Sequence, residues 1–385
     1  MEEKNCPVYK KCSGCQLRNM TYEETLRFKE IKIVRLMGKL CRVDPVIGMK
    51  DPYHYRSKVQ AAFRYRGGHI ESGVFQSATG GIVPVKDCLS DDIIANKIIL
   101  FVKKLAEQLK IPVYNSQTGR GFLRHVLIRR GFATGEVMVV IVAANHNFPS
   151  KSVFVKELTR LYPQIVSVVL NINTDPYKML LSRDETVLFG RGYIEEIICG
   201  ERFRISPKSF CQVNPVQTEV LYNKAIELAG LKGNETVLDA YCGIGTISII
   251  AARHARQVYG VEINRSAVND ANVNAELNSS DNVKFVCADA GKYLAEMKER
   301  KVHCDAAFLD PARAGCDRRV LSALADLAPD KIVYISCNPE TQARDVFFLI
   351  QNGYKLRVIQ PVDMFPFTQH VENIALLVKN NQKDR

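Results

Sequence analysis

The last third of the sequence contains a cysteine and an aspartate at the ends of predicted strands. Cys337 follows an apolar strand predicted at 331–336, and Asp310 follows one predicted at 305–309. Because the carboxyl ends of parallel strands meet at one edge of a sheet, we expect both side chains to face the same cleft. A helix predicted to begin just after Cys337 favours the thiolate form of its side chain. Cys337 is therefore the predicted nucleophile.

A thiolate suits a reaction at carbon, such as methylation at C5 of a pyrimidine ring. C5 has no lone pair, but addition of a thiolate to C6 gives C5 the enolate character that it needs to attack a methyl sulfonium. The C5 proton must then be removed by a base. Glu372, just before the last predicted strand, is the candidate base. His370 is the alternative, since the usual pKa of a histidine suits proton transfer.

Acidic residues also end the first three strands of this region. Asp239, Glu262 and Asp289 each end or follow a predicted strand, and Gly243 and Gly245 allow a tight turn after the first one. An acid at the end of the second strand can bind ribose hydroxyls. The glycines do not form GxGxxG and no Lys-Ser or Lys-Thr follows them, which argues against dinucleotides and nucleoside triphosphates. Carboxylates without a phosphate loop favour S-adenosylmethionine, which carries a sulfonium and an amino group.

Four further cysteines are spaced like metal ligands. Cys6, Cys12 and Cys15 lie close together in the sequence, and Cys88 lies far beyond them. Such a set can bind zinc or an iron–sulfur cluster, and the spacing leaves both open. A disulfide framework is not expected in a chain of this length without a signal segment. The simpler role of such a site is structural, and a redox role is the alternative.

The hydrophobic pattern predicts the elements that position these side chains. From residue 216 onward, predicted strands and helices alternate, which is typical of a parallel, doubly wound sheet. Two final strands, predicted at 356–361 and 373–378, have no helix between them and imply an antiparallel edge. The predicted fold class is therefore α/β, with a Rossmann-like domain at the C-terminal end.

The residues before 216 mix short strands with helices and are predicted to form an α+β unit. Its strands include one predicted at 74–85 and a hairpin predicted at 122–144. The first 40 residues are rich in cysteine and then form a basic helix. The predicted domains are a small N-terminal iron–sulfur segment at 1–40, completed by Cys88, a central domain at 41–215 and the Rossmann-like domain at 216–385.

Length and charge limit the function classes. The chain has 385 residues, of which 46% are hydrophobic and 24% charged, values typical of globular domains. No apolar run reaches the roughly 18 residues of a membrane span, and no signal core opens the sequence, which predicts a cytoplasmic protein. A net charge of +12 is compatible either with a nucleic-acid partner or with solubility alone.

Aromatic and cationic residues interleave before the doubly wound region. Residues 53–58 (Tyr-His-Tyr-Arg-Ser-Lys) and 63–66 (Phe-Arg-Tyr-Arg) combine rings with cations, as binding of single-stranded RNA requires. Arg124-His125 and Arg129-Arg130 add a second strip. Alternation on a half-exposed strand produces the same pattern without RNA. Together with the net charge, the pattern predicts an RNA-binding face in the central domain.

Four motifs together resemble the RNA uracil-5-methyltransferase family, and the resemblance covers the whole chain. They are Ser-Cys337-Asn-Pro, Asp310-Pro-Ala-Arg-Ala-Gly, Phe210-Cys-Gln212-Val-Asn and His370-Val-Glu372-Asn. The resemblance implies an S-adenosylmethionine-dependent methyltransferase that forms a covalent adduct between Cys337 and C6 of a uridine, with Glu372 removing the C5 proton. Ala312 stands where a second proline is common in the family, a small conformational difference.

The resemblance also assigns binding residues. It places Phe210 on the target base, and we assign His370 to substrate binding as well. The cofactor residues are Gln212, Tyr241, Gly243, Glu262, Asp289 near the adenine, and Asp310.

Several members of this family carry a [4Fe–4S] cluster on cysteines spaced like the four described above, so the resemblance favours that cluster over zinc. Some relatives carry an N-terminal RNA-binding barrel. Because the first cluster cysteine is Cys6, we expect that barrel to be missing and RNA recognition to fall to the central domain and the cluster region.

The cluster is more typical of relatives that act on large-subunit ribosomal RNA. The predicted partner is therefore 23S rRNA, with tRNA as the alternative, and a monomer is expected. An alternative of another class is an iron–sulfur RNA-binding or redox-sensing protein without catalysis, against which intact Cys337 and Glu372 argue.

Overall fold

The computed structural model describes residues 4–76, 79–175 and 181–380, so residues 77–78 of the strand predicted at 74–85 lie outside the described residues. The chain folds as two compact units. The first comprises Met1–Arg18, Pro52–Ile197 and Arg204–Pro215, and the second comprises Asn19–Asp51, Ile198–Phe203 and Val216–Arg385. These bounds differ from the predicted ones, because residues 19–51 belong to the second unit. The division into three domains stays a prediction.

The helices and strands of the described residues are, in chain order, α1 (Tyr22–Met37), β1 (Lys58–Arg66), β2 (His69–Gln76), β3 (Gly81–Pro84), α2 (Ile93–Gln108), β4 (Leu123–Arg130), β5 (Val137–Ala143), α3 (Lys151–Leu161), β6 (Ile165–Ile172), β7 (Glu185–Gly190), β8 (Ile194–Ile198), β9 (Glu201–Ile205), α4 (Pro215–Ala229), β10 (Thr236–Asp239), α5 (Thr246–Ala252), β11 (Gln257–Glu262), α6 (Arg265–Leu277), β12 (Val283–Cys287), α7 (Ala290–Glu299), β13 (Ala306–Leu309), α8 (Arg318–Leu327), β14 (Lys331–Ser336), α9 (Pro339–Gln351), β15 (Tyr354–Val362) and β16 (Glu372–Lys379). None of the helices within these ranges is long and apolar enough to cross a lipid bilayer.

The first unit contains a seven-stranded sheet in the order β3-β2-β1-β4-β5-β6-β7. Its strands pair antiparallel, except that β5 and β6 run parallel because α3 connects them. The hairpin predicted at 122–144 is the pair β4 and β5. Apolar residues of α2 and α3, such as Val102 and Phe154, pack with strand residues such as Val126. This arrangement confirms the predicted α+β character.

The second unit contains a seven-stranded sheet in the order β12-β11-β10-β13-β14-β16-β15. The strands from β12 to β14 are parallel, and β16 is antiparallel to both of its neighbours. The short central strands β10 and β13 are buried along their whole length, as strands of a parallel sheet covered on both faces are. The predicted Rossmann-like α/β fold is confirmed.

The last strand in sequence is not the last strand in space. β16 lies between β14 and β15, so β15 forms the sheet edge, where Val43 and Ile47 make isolated bridges to it. The antiparallel pair was predicted, but its order in space was not. Because β16 runs against the parallel strands, its first residue, Glu372, lies at the edge where those strands end.

Helix α1 holds the segment that leads into β16. Lys29 and Asp363 are both fully buried and form an ion pair, and Lys29 also donates to the carbonyl oxygen of Phe365 at 2.9 Å. Tyr22 donates its hydroxyl to the other oxygen of Asp363 at 2.8 Å. These bonds fix the start of the loop that ends at Glu372.

Candidate active site

The ends of β14 and β16 bring Cys337 and Glu372 together. Ser336, the last residue of β14, pairs with Asn373 of β16. Because the two strands are antiparallel, Cys337 and Glu372 are the next opposed residues. Asp310 directly follows β13, the neighbour of β14 on its other side. The three side chains therefore share the carboxyl edge of the sheet, as the strand-end argument predicts.

Gln342 of α9 holds the two strand ends at a fixed separation. Its side-chain nitrogen donates to the carbonyl oxygens of Tyr334 at 2.8 Å and Asn373 at 3.0 Å, and its Oε1 accepts from the Asn373 amide at 2.6 Å. Gln342 is fully buried. A buried amide with these partners is rigid, so Gln342 is a positioning residue. Sequence reasoning missed it, although a glutamine among apolar helix positions was a usable signal.

The loop after β13 is tied to the beginning of α9. Asn338 and Thr341 both donate from their side chains to the carbonyl oxygen of Arg313, at 2.9 and 3.2 Å. The exposed Arg313 side chain acts on the site through its charge, which lowers the pKa values of Cys337 and Glu372 against larger opposing effects. Sequence reasoning gave Arg313 no role, although it belongs to the motif that begins at Asp310.

Glu372 is a buried carboxyl group rather than an exposed one. Its side chain is 1% exposed, and its Oε2 has no hydrogen-bond partner among the described residues. Burial, the largest cause, and the charge of Asp310 raise the pKa of Glu372 to about 8. Burial also raises the pKa of Asp310 to about 7, with a contribution from Asp239. A carboxyl group with a pKa near the working pH is suited to act as a general base.

The predicted preference of Cys337 for the thiolate form is wrong. Asn338, not Cys337, caps α9. Burial, the largest cause, and the charges of Glu372 and Asp310 raise the pKa of Cys337 to about 11. The N-terminus of α9, just after Cys337, does not offset these contributions. A lower negative charge on the two carboxyl groups, through protonation or a bound cation, would favour the thiolate.

Asp239 and Glu262 shape the next part of the edge. Asp239 is fully buried, and its Oδ2 accepts from the Ser248 hydroxyl at 2.7 Å, while its Oδ1 has no partner in the described part of the chain. Burial raises the pKa of Asp239 to about 6. Glu262 accepts from the backbone nitrogens of Gly243 at 3.3 Å and Asn264 at 2.8 Å. A buried acceptor without a donor costs about 1–3 kcal/mol, which a bound donor would recover.

The turn between β10 and α5 requires glycine. Gly243 and Gly245 have φ angles of +54° and +85°, and a Cβ on Gly245 would lie 2.6 Å from the Phe285 ring. Tyr241, in the same turn, is half-buried, and burial raises its pKa. Asp289 caps α7 by accepting from a backbone nitrogen of its first turn at 3.1 Å, which is a structural role.

Three further predicted binding residues are Phe210, Gln212 and His370. Phe210 and Gln212 belong to the first unit, where the Phe210 ring is 69% exposed and Gln212 is buried. An exposed ring is available for stacking. His370, in the second unit, is half-buried, and its ring centroid lies 6.2 Å from that of Phe365 in an edge-on arrangement.

The predicted ligand cysteines all belong to the first unit and are half-buried. Burial raises the pKa of Cys15, and the charges of Cys12 and Cys6 raise it further, so these three thiols are close neighbours. A backbone N–H of Gly14 points at the sulfur of Cys12, at 3.4 Å. Backbone donors to sulfur are typical of cysteines that ligate a cluster.

Arg56 and Asp91 connect Cys88 with the other thiols. Arg56 pairs with Asp91 at 3.9 Å, and its charge lowers the pKa of Cys15 against burial. Burial, the largest cause, and the charge of Asp91 raise the pKa of Cys88 to about 12. No three of the four sulfurs, all in the described part of the chain, lie within 4.8 Å of one another. Tetrahedral zinc with bonds of about 2.3 Å needs sulfurs about 3.8 Å apart, so these described side chains do not form a preformed zinc site.

Several of the predicted RNA-binding cations bond to acceptors of the first unit, and the RNA-binding face stays a prediction. Arg129 is buried and donates to the carbonyl oxygen of Ser209, and Arg130 forms an ion pair with Asp92. Arg124 donates to two backbone carbonyl oxygens, and Tyr53 and Tyr55 are buried. Of the residues at 63–66, the side chains of Tyr65 and Arg66 are exposed.

Among the described residues, another group of metal-ligand types comprises His303, Asp305 and Asp330. His303 lies 3.1 Å from Asp305, and the His303 side chain is 72% exposed. The three residues precede β13 and β14, at the opposite ends of those strands from Cys337. The group therefore lies outside the candidate active site.

The chain is similar to known RNA methyltransferases over most of its length. A family model described as tRNA (Uracil-5-)-methyltransferase matches residues 21–380. An "uncharacterized RNA methyltransferase" of Clostridium tetani is 41% identical over 387 residues, 100% of this chain and 84% of that protein. A Bacillus cereus protein of the same description is 42% identical over 98% of this chain and 83% of its own length.

One solved structure is similar over nearly the whole chain. The crystal structure of Pyrococcus abyssi tRNA (uracil-54, C5)-methyltransferase in complex with S-adenosyl-L-homocysteine aligns with a TM-score of 0.79 and 30% identity. The alignment covers 97% of this chain and 87% of that chain. The similarity therefore extends over both units.

Proposed function

Since the chain belongs to the tRNA (uracil-5-)-methyltransferase family, we propose that it transfers a methyl group from S-adenosylmethionine to C5 of a specific uridine in RNA. Membership confirms the family resemblance carried by the four sequence motifs. The residues available for the cofactor also fit. Asp239 offers a buried, unpartnered acceptor oxygen, and Glu262 lies at the end of the second strand, where ribose hydroxyls bind.

The opposition of Cys337 and Glu372 carries the proposal. A thiol and a buried carboxyl group stand at opposed positions of two strands, and the carboxyl oxygen Oε2 lacks a partner among the described residues. Methylation at C5 needs a nucleophile for C6 and a base for the proton on C5. These two side chains supply both groups at one place.

The proposed reaction uses the chain's own residues as follows. S-adenosylmethionine, when bound, supplies an electrophilic methyl group on a sulfonium. The sulfur of Cys337, after its proton has passed to water, forms a bond to C6, and the electrons of the C5–C6 double bond move towards C5. C5 then takes the methyl group, the methyl–sulfur bond breaks with its electrons left on the sulfur of the departing S-adenosylhomocysteine, and Glu372 takes the C5 proton. The double bond then re-forms as the bond between C6 and sulfur breaks, which returns Cys337 to its starting form.

For the substrate we propose 23S rRNA, because the four half-buried cysteines match the arrangement typical of relatives that act on that RNA. The second candidate is tRNA, favoured by the similarity to the Pyrococcus abyssi tRNA (uracil-54, C5)-methyltransferase. Transcripts of both RNAs, free of modification, distinguish the two. Incubation with the protein and labelled cofactor should label one transcript at a single nucleotide position.

We further propose that Cys6, Cys12, Cys15 and Cys88 hold a [4Fe–4S] cluster. The neighbouring thiols of Cys6, Cys12 and Cys15 support a shared site for these cysteines. Such a cluster would join the N-terminal segment to the strand region of the first unit, a structural role. Anaerobically purified protein should be brown and absorb near about 400 nm, and Cys88→Ser should lose the colour. Colourless protein with stoichiometric zinc would overturn this assignment.

Covalent trapping tests the reaction. A transcript containing 5-fluorouridine should form a denaturation-resistant complex with the protein and cofactor, because fluorine at C5 cannot be removed as a proton. Cys337→Ala should form none. Cys41→Ala, which removes another half-buried thiol of the second unit, is the matched control and should trap normally.

The absence of a trapped covalent complex would contradict the proposed reaction. If neither the rRNA nor the tRNA transcript is trapped although the protein binds it, the chain is an RNA-binding protein without this catalysis. Glu372→Gln provides a second test on ordinary uridine. It should accumulate the covalent complex, because the C5 proton remains. Free turnover by Glu372→Gln would assign the base to His370 or to water.

A further inference from the structure

The first unit contains a cavity of about 370 Å³ that none of the groups discussed above accounts for. This volume lies within the range of ligand pockets, about 300–1,000 Å³. One wall comes from β1 and β2, with Phe63, Tyr65 and Phe75, and the other comes from residues 113–117. Arg124, at the beginning of β4, lines the same cavity.

The lining combines aromatic rings with cations. Tyr65 is 67% exposed, and the Arg124 guanidinium lies 5.2 Å from the centroid of the Tyr114 ring. Bonds from Arg124 to the carbonyl oxygens of Asn173 and Asp175 hold that guanidinium in place. Planar rings and a fixed guanidinium are the surfaces on which unpaired bases stack.

The polar part of the lining suits the edge of a base. Asn115, Ser116 and Gln117 line the cavity and provide amide and hydroxyl groups. The residues that line it in the described part of the chain include no Asp or Glu. Arg64, which also lines it, is paired with Glu71 at 2.6 Å, so we expect stacking to contribute more to binding than net charge.

We propose that this cavity binds an unpaired nucleobase of the RNA, one other than the uridine that is methylated. The proposal rests on the proposed function for the kind of ligand, RNA, but not for the chemistry. The methylated uridine must meet Cys337, which belongs to the second unit, whereas every residue that lines the cavity belongs to the first. The cavity would therefore contribute to the choice of RNA rather than to the reaction.

Binding measurements on the full chain test the proposal. Unmodified 23S rRNA and tRNA transcripts serve as probes, and the variants are measured with the transcript that the wild-type protein binds more tightly. Tyr65→Ala should weaken binding about tenfold, the loss expected for one stacked base, and Tyr65→Phe should stay within about twofold because the ring remains. Phe189→Ala removes another exposed aromatic ring of the first unit and is the matched control, expected to bind like the wild type.

Two further readouts separate recognition from chemistry. Irradiation with a transcript containing 4-thiouridine should cross-link residues of the cavity in the wild type. Tyr65→Ala should raise KM for the RNA about tenfold and leave kcat unchanged, whereas a folding defect would lower the fraction of active protein instead.

The outcomes distinguish this proposal from the proposed function. If the cavity cross-links but no uridine is methylated, the base-binding site stands and the methylation proposal fails. If the protein methylates RNA while Tyr65→Ala keeps wild-type affinity and KM, or if cross-links map only outside the cavity, the base-binding proposal is overturned and the methylation proposal stands.

Discussion

Both units bury ionisable side chains, but they treat them differently. In the first unit, the buried Arg129 and the half-buried Arg130 reach a carbonyl oxygen and a carboxylate, respectively. In the second unit, one oxygen of Asp239 and one of Glu372 have no partner within the described residues. Among the described residues, Arg129 and Arg130 thus each have an acceptor, although the Nε atom of each lacks a partner, whereas Asp239 and Glu372 each keep one acceptor oxygen available.

The difference shows which sequence signal carries function. Acids and a thiol at strand ends were predicted from topology, and the fold places them at one edge because parallel strands end together. Cations near aromatic rings were predicted from a local pattern to face RNA, but two of them, Arg124 and Arg129, are buried and donate to backbone carbonyl oxygens. A position that the fold rules assign is therefore a stronger signal than a local pattern of charge.

The largest effect is expected at the thiol. Cys337→Ala should lower the rate of uridine methylation by at least about 10³-fold, because covalent catalysis loses its nucleophile. Its affinity for RNA should change little, which separates chemistry from binding. The measurement is single-turnover methyl transfer beside filter binding. Residual activity within tenfold of the wild type would remove Cys337 from the reaction.

Breaking a satisfied buried pair should have the next largest effect. Lys29→Met leaves Asp363 buried without its cation and should lower the free energy of unfolding by about 3–5 kcal/mol. Lys32→Met breaks a more exposed ion pair with Glu340 and should change the free energy of unfolding by less than about 1 kcal/mol. Chemical denaturation measures both. Equal small losses would show that the buried pair does not anchor the loop before Glu372.

Removing an unpartnered buried carboxyl group should have the opposite sign. The pKa of Glu372 is raised to about 8, so protonation of this carboxyl group favours the folded state. That contribution is lost as the pH rises from the pKa of Glu372 in the unfolded chain towards 8. Glu372→Gln should therefore be more stable than the wild type at pH 9, by roughly 2–4 kcal/mol. The difference should vanish near pH 4. A less stable variant at pH 9 would contradict the absence of a hydrogen-bond partner for Oε2 of Glu372 among the described residues.

The smallest effect is expected at an exposed arginine. Arg66→Ala should weaken RNA binding only a few-fold, lower the salt dependence of binding by about one ion, and leave stability unchanged. Arg129→Met should instead lower stability, by about 1.5–3 kcal/mol, because the Ser209 carbonyl loses a charged donor. If Arg129→Met changes only RNA affinity, the contrast between the two kinds of cation fails.

Much of the second unit followed from periodicity. Strand β14 and helix α8 have the predicted bounds, since short apolar runs and amphipathic helices are local signals. β7, β8 and β9 were not predicted. β7 is mostly exposed, and the alternating burial of β8 and β9 puts Glu196 and Glu201 at buried positions, which obscures the hydrophobic pattern. The insertion of β16 between β14 and β15 was also missed, because strand order depends on pairing between distant segments.

The sequence by itself determined the types and the order of the chemical groups. Cys337, Glu372 and the acids at strand ends follow from motifs and from the rule that parallel strands end at one edge. Only the tertiary structure decided their state. Burial raises the pKa values of Glu372 and Cys337, and packing buries Arg124 and Arg129 among the predicted RNA-binding cations. Desolvation and pairing depend on which segments meet in space, and no local pattern encodes that.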